Sequence, residues 1–439
     1  MSTGLLNANH LINELSTIIA GRRVLVLGYG KEGQSTYNTI RAVGGYYCLD
    51  IADSNPTLIN IASDDVTIIG DDYPDKLDNY DIVFKSPGIV LPYNVSSDNY
   101  RIKSQTDVFL SVYSSQTIGI TGTKGKSTVA TLLHHTLKSS GCDTILAGNI
   151  GIPMFDIAPQ ITPESIIIVE LSCHQLEYCK HSPSTAVLLN LFEDHLDHYG
   201  TFERYVQVKT NIYRYQNEKN KLYTKLKHLP ITISAKSQVC EVSIADLPFC
   251  QLEDVSGVRL RGEHNLLNAA FVYDICREHG VDKEKFISAL GSYCPLPHRL
   301  EFIGGKNNVD YYDDSISTTA ESSICAVQSI ENAKTLILGG MDRGIDYTSL
   351  VDFLLNSDLD MIIGMYGSGK RICEMFLARC AHSDSKRFYL VDDLLQAVEL
   401  AEKYTPPGSA CILSPASASY GDFANFEERG NVFKKLLFD

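Results

Sequence analysis

No stretch of this 439-residue sequence is apolar for long enough to cross a membrane, and no low-complexity tract or internal repeat runs through it. The first twenty residues lack a basic n-region, a sustained apolar run and a small-residue cleavage site, so no secretory signal is expected. None of the 12 cysteines stands in C-x-x-C spacing, which argues against both a zinc ribbon and a disulfide framework. A reducing, cytoplasmic setting fits that usage. Basic residues are also scarce: 38 Lys and Arg against 53 Asp and Glu leave a net charge of −15. Duplex binding needs an extended basic face, so no nucleic-acid partner is expected. Any anionic substrate must be held by local clusters.

What is present is the composition of a soluble globular protein, 44% hydrophobic and 21% charged. The length points to about three domains. Short β-rich runs alternate with helical patterns, as in RRVLVLGYG, YYCLDIADSNP, VTIIG and DIVFKSPGIV. That rhythm predicts an α/β protein of parallel sheets with crossover helices. A fresh strand, QTIGITG, follows the polar SVYSSQ, and the PLPH segment interrupts a helical pattern before RLEFIGG. The expected domains are therefore 1–115, 116–297 and 298–439. KTLILGG, MIIGMYG and SACILSP read as strands of the last one.

Gly28-Tyr-Gly30-Lys-Glu-Gly33 follows the strand VLVL and opens a helical pattern, with Asp53 twenty residues beyond Gly33 after a second strand. This is a dinucleotide-type fingerprint in its proper context. Its glycines let backbone N–H groups approach a diphosphate at a helix N-terminus. A nicotinamide cofactor, a UDP-sugar diphosphate and a tight turn without any ligand all satisfy the pattern at this point.

IGITGTKGKSTVATLLHHTLKSSG reads as strand, glycine-rich turn and amphipathic helix. Backbone amides of such a loop cradle phosphates, the lysine reaches the β/γ oxygens and the hydroxyl ligates Mg²⁺. The strict G-x-x-x-x-G-K-[ST] spacing fails, because Ile120 holds the first glycine position and the glycines are Gly119, Gly122 and Gly125. A later run, Gly367-Ser-Gly369-Lys370, has no hydroxyl residue after its lysine and is expected to be a loop.

Two charged residues stand where apolar ones belong. Glu170 ends the strand SIIIVE, an expensive place for a carboxylate without a compensating cation, and an adjacent strand would bring it beside the phosphate loop. In the helix TFERYVQVKTNIYRY, Lys209 falls on the stripe of Phe202, Tyr205, Val206, Ile212 and Tyr213. A buried ammonium is strongly disfavoured without a partner. The plain alternatives are a salt-bridged or capping carboxylate and a lysine that snorkels to solvent. Asp194, His195, Asp197 and His198 in EDHLDHYG also suit a polar helix start.

TGTKGKST resembles the phosphate loop of the Mur ligase and folylpolyglutamate synthetase superfamily, usually written G-T-x-G-K-[ST]. The resemblance runs along nearly the whole chain through KSPGI, AGNIGIP, VELSCHQLE, NLFEDHLDHYGTFERYVQVK, GEHNLLNAA, HRLE, LGGMDRG and SPASASYGDFANFEERG. The last of these looks like the D-glutamate-adding branch of the Mur ligases. What the resemblance implies is an N-terminal Rossmann-like domain for a UDP-linked substrate, a central P-loop ATPase domain and a C-terminal Rossmann-like domain for an amino acid. It implies an ATP-dependent amide ligase of peptidoglycan precursor synthesis, using two Mg²⁺ ions and acting on UDP-N-acetylmuramoyl-L-alanine and D-glutamate as a monomer.

Residue by residue, the resemblance places ATP at Gly122, Thr123, Lys124, Gly125, Lys126, Ser127 and Thr128, with Asn265 and Asn268 near the nucleotide and Arg299 and Asp314 at phosphate and ribose. It assigns Lys126, Glu170, His195 and Lys209 to catalysis and Ser127, Glu170, His195 and Lys209 to metal, with Lys209 carbamylated by CO₂. UDP-substrate contacts fall at Gly28, Gly30, Lys31, Glu32, Gly33, Asp53, Ser86, Gly88 and Asn149. Amino-acid contacts fall at Thr318, Arg343, Ser419 and the N–H of Phe426. The ATP site is expected to be completed by domain closure. Three positions depart from the family pattern: Ile316 replaces a lysine common in DSKATN, Lys124 replaces a common asparagine, and Arg343 stands where a lysine is common. A sibling ligase, a folate polyglutamylating enzyme and a P-loop binding protein that forms no covalent product are the rival readings. The Gly28 fingerprint ahead of the ATPase segment speaks against the folate enzyme.

Overall fold

The computed structural model describes residues 3–54, 67–69, 74–91, 101–229, 235–380 and 387–439. Three sheets carry the fold. The first contains β1 (Arg23–Leu27), β2 (Cys48–Asp53), β3 (Thr67–Ile69), β4 (Ile82–Lys85) and β5 (Ile102–Lys103), in the order β3-β2-β1-β4-β5 with every pairing parallel. The second contains β6 (Thr117–Thr121), β7 (Thr144–Gly148), β8 (Ile166–Glu170), β9 (Thr185–Leu188), β10 (Lys221–Thr224) and β11 (Gln238–Glu241). Its order is β11-β10-β9-β6-β8-β7, again all parallel. Strands such as VLVL and IIVE are buried along their length because helices cover both faces, which is why they read as apolar runs rather than alternations.

The third sheet contains β12 (Glu301–Lys306), β13 (Val309–Asp313), β14 (Ala333–Leu338), β15 (Met361–Met365), β16 (Arg387–Val391) and β17 (Ala410–Leu413), in the order β12-β13-β17-β14-β15-β16. The expectation of parallel sheets holds except here, where β12 and β13 form an antiparallel pair. Two residues, Asn307 and Asn308, turn that hairpin with left-handed φ of 55° and 59°, a conformation asparagine tolerates.

The three sheets match the three expected α/β segments, yet the chain divides into two compact units: 1–250 with 267–290, and 251–266 with 291–439. The first two sheets fall in one unit because a single apolar core, from Leu11 and Val26 to Ile167 and Leu222, runs through both. Polar ties reinforce it. Gln105, in the helix Gln105–Tyr113, donates to the hydroxyls of Ser35 and Thr36 and accepts from the Met154 N–H. The expected boundary at 115/116 lies inside this unit, at the turn before β6. The expected boundary at 297/298 lies inside the other.

Two local expectations are corrected. Gly367 to Lys370 is not a loop but the first turn of the helix Tyr366–Arg379, where a Cβ on Gly369 would lie 2.9 Å from the Gly364 carbonyl carbon. Small residues there let the helix lie against β15, not against a phosphate. The helix carrying Lys209 ends at Lys209 itself, and a short second helix, Asn211–Arg214, follows Thr210. Asn211 is pulled sideways: its side-chain amide donates to the Leu176 carbonyl, and its own carbonyl accepts from the Ser182 hydroxyl.

The glycine-rich turn after β1 shows how tightly the first sheet holds its helix. A Cβ on Gly33 would stand 1.9 Å from the Gly28 carbonyl oxygen, so Gly33→Ala must push the helix Lys31–Val43 off the turn. We expect that variant to lose about 1–3 kcal/mol in denaturant unfolding, the usual range for overpacking, whereas Gly30→Ala, with open space around its Cβ, should lose far less.

Candidate functional site

The crevices of open parallel sheets lie at the C-terminal strand ends, where strand order reverses. In the second sheet that point is the end of β6, flanked by β8 and β9. The phosphate loop emerges there. Gly125 adopts φ 87°, and a Cβ on it would meet the Asn268 side chain at 2.7 Å, so the loop passes directly under the helix Glu263–Glu278. Lys126 and Ser127 begin the helix Lys126–Ser139, with Ser127 buried. Asn190 clamps the loop from the side, accepting from the Lys124 N–H and donating to the Lys124 carbonyl. The Thr123 hydroxyl lies 3.0 Å from that of Tyr205. Lys126 Nζ donates to the carbonyls of Gly122 and Thr123.

A cavity of about 360 Å³ opens beside this loop, lined by Thr123, Lys126 and Lys209 together with Pro87, Gly88, Asn149, Ser172, Cys173, His174, Asp194, His195 and Tyr205. Glu170, opposite Ile120 in the β6–β8 register, is 1% exposed. Its Oε1 accepts from Asn149 Nδ2 at 3.1 Å, while its Oε2 is buried with no hydrogen-bond partner. A buried carboxylate oxygen left without a donor is costly, and a cation removes the cost. The oxygen set of Ser127 and Glu170 suits a hard divalent ion such as Mg²⁺.

Lys209 is 1% exposed, with Nζ donating to the Gly122 carbonyl at 2.8 Å and lying 4.9 Å from the centre of the Tyr205 ring. Burial, followed by the nearby Lys126 ammonium, pushes its pKa down from 10.5 to about 7. As an ammonium it would repel a cation. The neutral amine available near pH 7 is a nucleophile, and acquiring an anionic group would turn it into a metal ligand.

Several expected contacts turn out to hold the protein itself. Asp53 accepts the Tyr29 N–H at 2.6 Å, fixing the glycine-rich turn, and the Ser86 hydroxyl donates to the Gly28 carbonyl. Glu32 accepts from Gln175 Nε2, and burial raises its pKa to about 7. Lys31 and Gly30 are exposed at the start of their helix. Sequence reasoning gave no role to Lys85 and Glu177, whose buried pair, 3.5 Å apart, links KSPGI to VELSCHQLE. The shared buried position of two opposite charges was not visible along the chain. His198 was read as a helix-start residue; it stands 3.4 Å from Glu177 and edge-on to His174.

In the second unit the expected amino-acid contacts gather at the ends of β13, β14 and β17. Met341 bridges Ala418, bringing the GGMDRG turn against the serine-alanine loop, and the Arg343 guanidinium lies 5.4 Å from the Tyr420 ring centre. Arg343 and Thr318 are exposed, whereas Ser419 is buried. The Ser315 hydroxyl donates to the Phe426 carbonyl and accepts from the fully buried Arg429, which ties the Thr318 loop to the start of the helix Phe426–Phe438. Arg299 lies between His298 and Leu300, both at left-handed φ, 63° and 45°, a strained turn of the kind found at functional sites. Asp314 is buried and accepts from the Ser414 hydroxyl and the Leu300 N–H, so it supports that turn. Asn268 belongs to the first unit and Asn265, Arg299 and Asp314 to the second.

Comparison with known proteins adds four findings. Residues 120–275 match the Mur ligase middle domain. A UDP-N-acetylmuramoylalanine–D-glutamate ligase of Clostridium botulinum (strain 657 / Type Ba4) is 29% identical over 84% of this chain and 85% of its own. A UDP-N-acetylmuramoyl-L-alanine–L-glutamate ligase of Salinispora tropica is also 29% identical, over 96% of this chain and 98% of its own. Among solved structures, a MurF ligase of Thermotoga maritima in complex with ADP aligns over 96% of both chains with a TM-score of 0.59 at 19% identity, which establishes the shared fold.

The lone Glu170 oxygen yields a test that needs no turnover. Glu170→Gln removes a buried charge and should leave the divalent-free protein as stable as the parent or more so, by up to about 2 kcal/mol. The same variant should lose the rise in melting temperature that Mg²⁺ with ATP gives the parent, read by thermal unfolding with and without both.

Proposed function

From a chain that has the Mur ligase fold throughout and the Mur ligase middle domain at residues 120–275, we propose an ATP-dependent amide ligase that joins D-glutamate to UDP-N-acetylmuramoyl-L-alanine. The observation that carries the reading is the cavity beside the phosphate loop, lined by Lys126, Lys209 and Asn149, whose side chain donates to the buried Glu170. In the first step the free carboxylate of the UDP-linked substrate attacks the γ-phosphorus of ATP. A P–O bond forms to the carboxylate, the bond to the β-phosphate oxygen breaks, and ADP leaves. In the second, the glutamate amine attacks the acyl carbon, phosphate departs and the amine loses its proton.

The chain's residues position and neutralise. Loop amides from Gly122 to Ser127 surround the phosphates, and Lys126 exchanges its two backbone carbonyls for β/γ oxygens. Mg²⁺, when bound, offsets the charge of the moving phosphoryl group, and would be held by Ser127 and Glu170 at one position and by His195 and a carbamate on Lys209 at the other. Gly28, Gly30, Gly33 and the helix they open receive the UDP diphosphate. Arg343, with Thr318, Ser419 and the Phe426 N–H, holds the two glutamate carboxylates. Its guanidinium offers two parallel hydrogen bonds where an ammonium offers a point charge. No side-chain nucleophile is used, so positioning and electrostatics supply the acceleration.

D-glutamate is favoured by the SPASASYGDFANFEERG segment and by the Clostridium relative, and L-glutamate by the Salinispora relative. Phosphate release with UDP-N-acetylmuramoyl-L-alanine and a panel of D- and L-amino acids decides. Turnover with D-glutamate alone is expected. Turnover with L-glutamate alone would move the protein to the other specificity, and none with any pair would end the ligase reading. Arg343→Ala should raise the KM for glutamate by about tenfold or more and leave that for the UDP substrate nearly unchanged, with Arg343→Lys recovering much of the loss.

Lys209 gives a second test with a definite pH sign. Because burial lowers the folded pKa from 10.5 to about 7, the unmodified amine is neutral above about pH 7 and available to CO₂. Carbamate occupancy and turnover should therefore fall together as pH drops through about 7. In the unmodified protein the same shift makes stability rise with pH between 7 and 10.5, where the unfolded chain holds the extra proton. Lys209→Ala should be nearly inactive and partly rescued by short carboxylic acids. Full turnover in that variant would remove the carbamate from the account.

A further inference from the structure

One side-chain cluster in the cavity includes two residues, Cys173 and His174, to which the proposed reaction gives no role. Cys173 Sγ, an imidazole nitrogen of His174 and one of His195 all lie within 4.8 Å of one another. Cys173 Sγ stands 3.6 Å from His174 Nδ1. The rings of His174 and His195 meet at 85° with centres 4.9 Å apart. Donors about 2.0–2.3 Å from a tetrahedral ion are separated by roughly 3.3–3.8 Å, so the thiol and the first imidazole already stand at a coordination edge. Small ring rotations bring in the third donor.

The surroundings favour these groups as ligands. His195 is held at a left-handed φ of 54°, strain at a residue that lines the cavity. All three donors border the same space, so a fourth coordination position faces the cavity. Chemically the set differs from the proposed magnesium sites. One sulfur and two nitrogens prefer borderline-soft ions, whereas Mg²⁺ takes oxygen.

We propose that Cys173, His174 and His195 form a site for a zinc-class divalent cation with its fourth position open to the cavity. On binding, the Cys173 thiol gives its proton to solvent and the thiolate, two neutral imidazoles and one exchangeable ligand complete a tetrahedron. Since His195 also serves the proposed second magnesium position, zinc there and magnesium there exclude each other. That clause alone rests on the ligase reading.

The test is a Co²⁺ titration of the metal-free full chain in a large excess of Mg²⁺. One equivalent should bind with a near-ultraviolet thiolate-to-cobalt band and the visible intensity of a tetrahedral ion, both displaced by Zn²⁺. Cys173→Ser should abolish the band, and His174→Phe should weaken Zn²⁺ binding by about tenfold or more. Cys250→Ser and Cys294→Ser, at exposed cysteines, should change neither. Absence of the band, or its survival in Cys173→Ser, would overturn the site. If Cys173→Ser fails to fold, unchanged Zn²⁺ affinity in His174→Phe overturns it equally. Zinc should also inhibit turnover in competition with Mg²⁺. Full turnover with zinc bound would overturn the shared use of His195, and a cobalt band in a protein without ligase turnover would support the metal site while removing the reaction.

Discussion

Two buried ionisable groups, Glu170 and Lys209, set the terms for the first unit. Glu170 keeps one carboxylate oxygen without a donor, and Lys209 keeps a buried amine whose hydrogen-bond partner is the Gly122 carbonyl. Each is expensive alone; the β6–β8 register fixes the first and the helix ending at Lys209 fixes the second. A site arranged in this way is stabilised by what it binds. In the proposed ligase a cation would complete Glu170, and conversion of the amine to an anion would turn Lys209 from an obstacle to a cation into its ligand.

The rest of the unit gives that arrangement rigidity. Lys85 and Glu177, both buried, close the floor between the first two sheets, and burial lowers the Lys85 pKa while Glu177 opposes the shift. Asp53, Ser86 and Gly33 pack the glycine-rich turn onto the helix that starts at Lys31. Gly125 lets the phosphate loop pass beneath Asn268. These contacts hold backbone amides and charges fixed before any ligand arrives, and preorganisation of that kind is what an electrostatic mechanism requires.

The residues that announce themselves along the chain are those that break a local rule. Glu170 at the end of an apolar strand and Lys209 on an apolar helical stripe could be picked out by spacing, as could the phosphate loop by its strand and helix. The three-sheet α/β architecture followed from the same alternation. What spacing does not carry is pairing across long separations. Lys85 with Glu177 and Glu32 with Gln175 meet only once two sheets share a core, which also explains why three sheets give two compact units, and Cys173 meets His195 only where the segments after β8 and β9 come together. Asp53 and Asp314, expected at ligand-contact positions, also accept hydrogen bonds that hold turns of the protein, a role that spacing does not carry. The run from Gly367 to Lys370 has the composition of a loop, but its glycines serve close packing of a helix on β15.

The account stands on Lys209 becoming an anion, and that change has its own signal. Enzyme equilibrated with ¹³C-labelled bicarbonate should show one carbamate carbon resonance per chain, absent in Lys209→Met. A fully active enzyme with no such resonance, and with the unmodified mass at Lys209, would contradict it.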